Sequence, residues 1–269
     1  MLRGEKIIII ALKAAHISDW LFGLLISSCG LRMCNETTRV AVGVRLGLNL
    51  CEAHTCPCGA LVSTRGIHGL SCKRSAGRST WHQQIKDLIW WALQRCYVPA
   101  NKEPSGLLKL DGKRPDGLTL VRCQNGRYLT WDATVVDSLA SSYLSAISSL
   151  PGSAAETAVV RKRSKYATIT LTHIFVPVAV ESLGPVNAEG LRFLNQIGDR
   201  LSAVTRECRP FYIKGCLWLF NALTCSPFAA PSSPRRTSKL SHSRLWLYLS
   251  FLTLWILTNE GTKNNNNSL

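Results

Sequence analysis

One short segment rich in cysteine constrains the fold of this chain more than any other feature. The stretch CPCGALVSTRGIHGLSC places three cysteines and one histidine within 17 residues: Cys56, Cys58, His68 and Cys72. Zinc builds closed tetrahedral sites from thiolate and imidazole ligands in small modules, and the glycines of this stretch allow tight turns. We therefore predict that these four side chains hold Zn²⁺, with Cys51 as an alternative to Cys56.

The number of cysteines bears on the cellular compartment. The chain has 11 of them, an odd number that excludes complete disulfide pairing within one chain. Secreted disulfide scaffolds are normally shorter and spread their cysteines over the whole sequence. We expect a protein of a reducing compartment, nuclear or cytoplasmic and not secreted. The alternative interpretation of the cluster is a set of free thiols beside a surface histidine.

The charge of the chain points to a polyanionic partner. Lysine and arginine total 32 against 16 aspartate and glutamate residues, which gives a net charge of +16. Such an excess disfavours an enzyme whose only partner is a small cation. It favours nucleic acid first and an anionic membrane surface second. Lys73, Arg74 and Arg78 follow the cysteine cluster and would contact phosphate, although such runs are more often solvated faces.

Composition divides the chain into four regions. Residues 1–50 form an N-terminal extension, 51–78 the predicted zinc knuckle, 79–207 an α/β unit, and 208–269 a tail of degenerate or disordered character. In the tail, Leu245–Leu257 is an uncharged apolar run of 13 residues. A membrane-spanning helix needs about 20, so any membrane association through this run would be interfacial.

The α/β unit predicts the element order α-β-β-β-α-β-α. Helical and strand-like periodicities alternate along it, and Pro177 indicates an edge strand or a bulge. The predicted elements are a helix from Thr80, strands at 107–110, Arg114–Arg122, Arg127–Val136 and Thr172–Glu181, and helices at Ser153–Ala167 and Asn187–Glu207.

Two aspartates lie in neighbouring strand-like runs, and the turn between them decides whether they meet. The dipeptide Asn125-Gly126 predicts a hairpin. A two-residue loop would place Asp116 and Asp132 on opposite faces, because side chains alternate along a strand. A three-residue loop with Gly126 in a bulge would place both aspartates on one face, with Asp116 opposite Thr134 and Leu118 opposite Asp132.

Two carboxylates on one face of a hairpin can hold Mg²⁺, a hard ion that takes oxygen ligands. The ion activates water and stabilises charge on a scissile phosphate. This metal hypothesis therefore predicts the three-residue turn. Glu103 is a third candidate ligand, although a surface role fits it equally well. Taken singly, Asp116 fits a turn residue and Asp132 an exposed strand residue.

The following helix carries basic residues that would complete such a site. Lys162 and Lys165 share a helix face, with Tyr166 beside them, and a lysine near activated water stabilises the phosphate transition state. The alternative is a solvated basic face. His82, near the start of the first helix, is a candidate contact for DNA or for the site, or simply an exposed residue.

Together these residues resemble a known family. The pattern is similar to the C-terminal region of non-LTR retrotransposon polyproteins that carry a restriction-like, PD-(D/E)xK endonuclease, and the resemblance covers about residues 51–206. It rests on Cys56, Cys58, His68 and Cys72; His82; Arg114-Pro115-Asp116; Asp132; and Lys162, Lys165 and Tyr166.

The resemblance implies a restriction-endonuclease-like α-β-β-β-α-β core preceded by a small zinc knuckle. It implies a Mg²⁺-dependent endonuclease that nicks target DNA to prime reverse transcription, with a knuckle that helps to bind nucleic acid. Position 134 is threonine, where simple PD-(D/E)xK enzymes have lysine, so the lysine would come from the helix as Lys162 or Lys165.

The resemblance also implies partners. No Asp-Asp pair occurs in the chain, so a polymerase active site is absent. The element RNA and a reverse transcriptase, in the same or another polypeptide, are the expected partners beside DNA. Two alternatives stay open: a nucleic-acid-binding remnant without catalysis, and a membrane-associated protein that uses Leu245–Leu257.

Overall fold

A computed structural model describes residues 35–72, 74, 77–107, 114–138, 140, 142–143 and 150–205. Several sequence predictions lie outside these residues: most of the extension at 1–50, Lys73, positions 108–110 of a predicted strand, and the 208–269 tail with Leu245–Leu257. Within the described part of the chain, no helix combines the length and apolar character needed to cross a bilayer.

The first described elements surround the cysteine cluster. Helix α1 (Asn35–Leu46) precedes a short antiparallel pair of strands, β1 (His54–Thr55) and β2 (Leu61–Val62), in which His54 pairs with Val62. A four-residue helix, α2 (His68–Ser71), follows. Short elements joined by turns are what the glycine-rich sequence predicts, because a segment this small has few apolar side chains to bury.

A mixed four-stranded sheet forms the centre of the α/β unit. Helix α3 (Gly77–Arg95) leads into β3 (Ala100–Lys102), β4 (Gly117–Arg122) and β5 (Tyr128–Val136), which pair antiparallel in that order. Helix α4 (Ser153–Lys165) then crosses to β6 (Ile174–Glu181), which runs parallel to β5, and α5 (Ala188–Thr205) follows. Among the described helices and strands of this unit, the order α-β-β-β-α-β-α agrees with the prediction.

The first strand of the sheet is not where the sequence pattern placed it. Strand β3 is the short polar segment Ala100–Lys102, whereas Leu107, the one described residue of the predicted 107–110 strand, lies outside any strand. A three-residue strand with two exposed side chains shows no apolar alternation, so its pairing with Gly117–Thr119 leaves no local signal. Strand β6 lies at the sheet edge, as Pro177 predicted.

Helices cover both faces of the sheet. Alternation along β6 sends Val176, Val178 and Val180 into a core with α3 and α5, whereas Phe175 packs with Tyr166 at the end of α4. Trp131 of β5 is fully buried in the first core. A Cβ on Gly117 would lie 2.0 Å from the Trp131 ring, so only glycine fits where β4 begins beside β5.

Candidate functional site

The four predicted zinc ligands converge. Their ligand atoms lie within 4.8 Å of one another, with Cys58 Sγ 3.2 Å from His68 Nε2 and Cys56 Sγ 3.6 Å from Cys72 Sγ. The turn after β1 presents the first two cysteines, and Gly59 there adopts a positive φ of 88° that favours glycine. Helix α2 supplies the other two ligands, since it begins at His68 and Cys72 directly follows it.

The structure separates Cys51 from this Cys₃His cluster. The Cys51 thiol donates to the backbone oxygens of Ser63 and Thr64, away from the convergent set. Within the cluster, a backbone N–H bond from Ala60 and the neighbouring Cys56 thiol lower the pKa of Cys58 to about 6. A thiolate is the form that binds metal ions, so the cluster has the donors and the convergence that a metal such as zinc requires.

The hairpin between β4 and β5 has the three-residue turn that the metal hypothesis predicted. Gln124, Asn125 and Gly126 form the turn, and Cys123 N donates to Arg127 O at 2.7 Å. Gly126 has a positive φ of 68°. This turn places Arg122 opposite Tyr128.

Further along the hairpin the register shifts again. Leu118 pairs with Thr130 and not with Asp132, so that part of the prediction was wrong. The cause is Thr119, whose hydroxyl accepts the Leu129 N–H at 3.0 Å in place of a backbone carbonyl. Between the pairs Arg122–Tyr128 and Leu118–Thr130, β4 therefore has two more residues than β5. A shift by an even number of residues leaves each side chain on the same face of the sheet.

This second shift brings the two aspartates closer in register than predicted. Because Gly117 pairs with Trp131, the next positions along both strands are Asp116 and Asp132. We expected Asp116 opposite Thr134, two residues away. Both carboxylates are buried, so neither has the solvated position expected of a lone turn or strand residue.

Asp116 is held through one carboxylate oxygen. Its Oδ2 accepts the Ala133 N–H at 2.7 Å and lies 3.1 Å from His82 Nε2. The first contact uses a β5 amide beside the residue that directly precedes β4. The hydrogen bond to Asp116 raises the pKa of His82. Both contacts are made by Oδ2, and the other carboxylate oxygen, Oδ1, takes part in neither of them.

Asp132 is contacted from α4. Tyr166 OH lies 2.8 Å from its Oδ1, and Lys162 Nζ forms an ion pair with its Oδ2. Burial raises the pKa of Asp132, and the positive charge of Lys162 opposes that rise. Burial and the Asp132 charge also raise the pKa of Tyr166, so the phenol stays protonated at neutral pH and donates a hydrogen bond to Asp132.

The two candidate lysines differ in their position relative to Asp132. Lys162 reaches Asp132 and also lies 3.5 Å from Ala133 O. Lys165 is exposed and lies over the Tyr166 ring, 4.6 Å from its centroid. Lys162 is therefore the ammonium group at the carboxylates, and Lys165 flanks them.

Glu103 lies in line with the aspartates but is engaged by another residue. Its backbone N–H donates to Asp116 O at 2.9 Å, so Glu103, just after β3, lies beside Asp116, just before β4, and Asp132 lies on the adjacent β5. Its side chain pairs with Lys86. Glu103 has a positive φ of 48°, a strained conformation for a residue other than glycine.

Lys86 was missed by the sequence analysis. It is 3% exposed and lies on α3 one helical turn after His82. A lysine in a helix normally indicates a solvated face, and the signal that could have found it is its position four residues after a candidate site histidine. Each of the three carboxylates thus has a basic partner: His82, Lys86 or Lys162.

The carboxylate oxygens of Asp116, Asp132 and Glu103 do not converge as the ligand atoms of the Cys₃His cluster do. Across the described residues, the Cys₃His cluster is the one convergent set of three or more histidine, cysteine or carboxylate ligand atoms. The donors do fit a hard cation bound by two carboxylates and water, because Asp116 and Asp132 supply oxygens from adjacent strands and Ala133 O lies close by.

Of the remaining predicted contacts, the structure places Arg114 beside this site. Arg114 is exposed, and its backbone oxygen lies 2.8 Å from Tyr166 OH. Arg74 is exposed beside the knuckle, and the side chain of Arg78 lies outside the described part of the chain. Comparison with protein-family models and with curated proteins finds no match to this chain.

Proposed function

We propose that this chain is a Mg²⁺-dependent DNA endonuclease module that nicks target DNA for target-primed reverse transcription. The observation that carries the proposal is the meeting of Asp116 and Asp132 at the end of one hairpin, with Lys162 of α4 on the second carboxylate. Buried carboxylates beside a partly exposed ammonium group, in a chain with a net charge of +16, suit chemistry on phosphate.

Asp116 and Asp132 are the residues that would hold Mg²⁺, through Asp116 Oδ1 and an oxygen of Asp132. Bound there, the ion would activate water and neutralise charge on the scissile phosphate. The protein's own contribution is to fix the ligands: Ala133 N and His82 hold Asp116, and Tyr166 holds Asp132.

Lys162 is the group that would face the phosphate. Its ammonium lies on the rim of the site, with 21% of the side chain exposed, whereas Asp132 is 4% exposed. A fixed positive charge in a site that excludes water stabilises the charge that develops on a phosphate during hydrolysis. Exposed Lys165 and Arg114 flank this position and would contact neighbouring phosphates.

We assign the Cys₃His cluster to a structural Zn²⁺ site. Four protein ligands close the coordination shell, which is the arrangement of structural zinc and leaves no place for substrate. The knuckle would contact nucleic acid through Lys73, Arg74 and Arg78, which follow it directly in the sequence.

The fold supports the same proposal. A mixed sheet with the order α-β-β-β-α-β, and acidic residues where β4 and β5 meet, is the arrangement expected of a restriction-endonuclease-like core. With that core, the further partners are the RNA of the retrotransposon and a reverse transcriptase in the same or another polypeptide. The protein would then act in the nucleus or the cytoplasm.

A plasmid assay tests the activity. Supercoiled DNA is incubated with the full chain in Mg²⁺ or in EDTA, and the open-circular product is measured. We expect nicking in Mg²⁺ only, and a loss of at least about 100-fold for Asp132→Asn, because removing a metal ligand misplaces the reacting groups. Asp199→Asn, the same change at an exposed position on α5, is the matched control.

Two results would contradict the assignment. Nicking that survives in Asp132→Asn would show that this carboxylate is not part of the active centre. Salt-dependent DNA binding without nicking, in wild-type protein and variant alike, would identify the chain as a nucleic-acid-binding remnant without catalysis.

A further inference from the structure

A third buried carboxylate lies at the N-terminus of α4, the helix that carries Lys162 near its other end. Glu181, the last residue of β6, is 0% exposed. Its Oε1 accepts the backbone N–H groups of Ala154 and Ala155 at 3.0 and 3.1 Å, and its Oε2 accepts the Ser138 hydroxyl at 3.2 Å. Glu181 therefore joins the end of the sheet to the first turn of α4.

Helix α4 has no cap of its own at this end. Gly152 occupies the N-cap position and has no side chain to accept the first N–H groups. Those groups carry the positive end of the helix dipole, and an anion placed there is stabilised. Glu181 supplies both the acceptor and the charge from another element of the fold.

Burying the Glu181 carboxylate costs free energy of folding. Burial raises the pKa of Glu181, since a carboxylate away from water loses its hydration. An N-cap serine or aspartate on the helix itself would satisfy the same N–H groups while staying near solvent. A carboxylate drawn from β6 adds something that a local cap does not: a fixed position of the helix relative to the sheet.

The other end of α4 carries the groups that contact Asp132. Lys162 lies two turns after Ala155, a distance of about 10 Å along a rigid helix, and Tyr166 follows the last turn. Glu181 pairs with Val136 at the end of β5, four residues after Asp132 on the same strand. Helix α4 is thus joined to the sheet near both of its own ends, by Glu181 of β6 and by Asp132 of β5.

We propose that Glu181 is a positioning residue, which anchors the N-terminus of α4 so that Lys162 and Tyr166 meet Asp132. The proposal rests on the endonuclease function as far as catalysis is concerned. The placement of Lys162 is a separate physical property that can be measured without any activity.

The chain offers a matched control. Glu156 Oε1 accepts the Ala188 N–H at 2.7 Å, so Glu156 caps α5 as Glu181 caps α4. Helix α5 carries none of the residues that contact the two aspartates. Glu156 itself lies in the first turn of α4, so a change there removes a carboxylate from the same end of that helix but leaves the contact between Glu181 and α4 in place.

The test compares Glu181→Ala, Glu181→Gln and Glu156→Ala in the full chain. Competitive acylation followed by mass spectrometry gives the reactivity of the Lys162 amine, and plasmid nicking gives the rate at saturating DNA and the DNA concentration at half-maximal rate. Glutamine keeps an acceptor for both N–H groups and can donate to Ser138, so it serves as the conservative rescue.

We expect Glu181→Ala to raise Lys162 acylation several-fold and to lower the saturated nicking rate by about 10- to 100-fold, as misplacement of reacting groups does. The half-maximal DNA concentration should stay within about twofold, because the DNA-contacting surface is retained. Glu181→Gln should restore most of both properties, and Glu156→Ala should change neither.

Each other result has a defined meaning. Folded Glu181→Ala with unchanged Lys162 acylation, or an equal change in Glu156→Ala, overturns the proposal. If Glu181→Ala does not fold, Ser138→Ala keeps the carboxylate, removes the hydroxyl that donates to Oε2 and accepts the Leu183 N–H, and must still raise Lys162 acylation. A wild-type protein that does not nick DNA refutes the proposed function, while Lys162 acylation still decides the role of Glu181.

Discussion

Lys162 of α4 and Asp132 of β5 form an ion pair across 30 residues of sequence, and the carboxylate is almost completely buried. Taking a carboxylate out of water costs several kcal/mol, which an ion pair seldom returns in full. Apolar residues at these two positions would serve stability better. The pair is therefore better explained by chemistry at the site than by folding.

The first prediction separates the two lysines of α4. Lys162→Met should abolish most Mg²⁺-dependent nicking, by about 100-fold or more, because it removes the one ammonium group on Asp132. Lys165→Met, the same change three residues later, should lower the rate by less than about tenfold, weaken DNA binding mainly at low salt and make that binding less dependent on salt. Nicking rates and salt titrations of the two variants measure the difference.

A reversed order of the two effects would transfer the catalytic role to Lys165. Equal and small effects would instead indicate that α4 contributes a basic surface only. Both variants keep the methylene groups that pack along the helix, so a loss of folding is not expected in either.

The second prediction concerns the metal of the knuckle. We expect one Zn²⁺ per chain, released by a chelator, and a loss of that zinc in Cys58→Ser. Cys51→Ser should retain it, because Cys51 bonds to backbone oxygens outside the cluster. Zinc content by atomic absorption checks both, and retention of zinc in Cys58→Ser or its loss in Cys51→Ser would contradict the ligand set.

Chelation should also have a local structural effect. The segment has few buried apolar residues, so its folding depends on the ion. Trypsin should then cut at Arg65, within the knuckle, well before it cuts the sheet and helices of 77–205. Loss of the whole fold on chelation would show that the knuckle and the α/β unit unfold together.

Some of this site could be predicted because its signals are local in sequence. The spacing of cysteines and histidine led to the Cys₃His cluster, and Asn125-Gly126 located the turn, whose three-residue length the metal hypothesis predicted. Short-range turn and ligand patterns depend on neighbouring residues alone, so they can be detected in one sequence.

Other parts could not be predicted, because they depend on contacts between distant segments. The Thr119 hydroxyl replaces a backbone acceptor, and this shifts the register by two residues. Glu181 is indistinguishable in sequence from an exposed residue at a strand end, although it is wholly buried. Lys86 resembles a solvated helix residue until its partner Glu103 is known.

The third prediction tests the register. Thr119→Val keeps the shape of a buried side chain but leaves the Leu129 N–H without its acceptor. We expect a loss of about 1–3 kcal/mol in the free energy of unfolding, measured by urea denaturation. Thr130→Val is the control on the neighbouring strand, since the Thr130 hydroxyl donates a long bond of 3.3 Å to Ile174 O. A loss no larger than the control's would contradict the role of Thr119.

The last prediction concerns pH. The hydrogen bond to Asp116 raises the pKa of His82 in the folded protein. The contribution of His82 to stability is therefore complete below the unfolded pKa of about 6.5 and is lost as pH rises through the higher folded pKa. His82→Gln should be less stable than wild type at pH 5.5, by no more than about 1 kcal/mol at this partly exposed site, and the difference should shrink by pH 8.5.

His173 provides a control of opposite sign. Burial lowers its pKa, so its protonation at low pH disfavours the folded state. His173→Gln should therefore gain stability relative to wild type as pH falls from 7.5 to 5.5, where His82→Gln loses it. Urea denaturation of both variants across this range measures the two trends, and parallel pH profiles would show that the contact between His82 and Asp116 does not control the titration of His82.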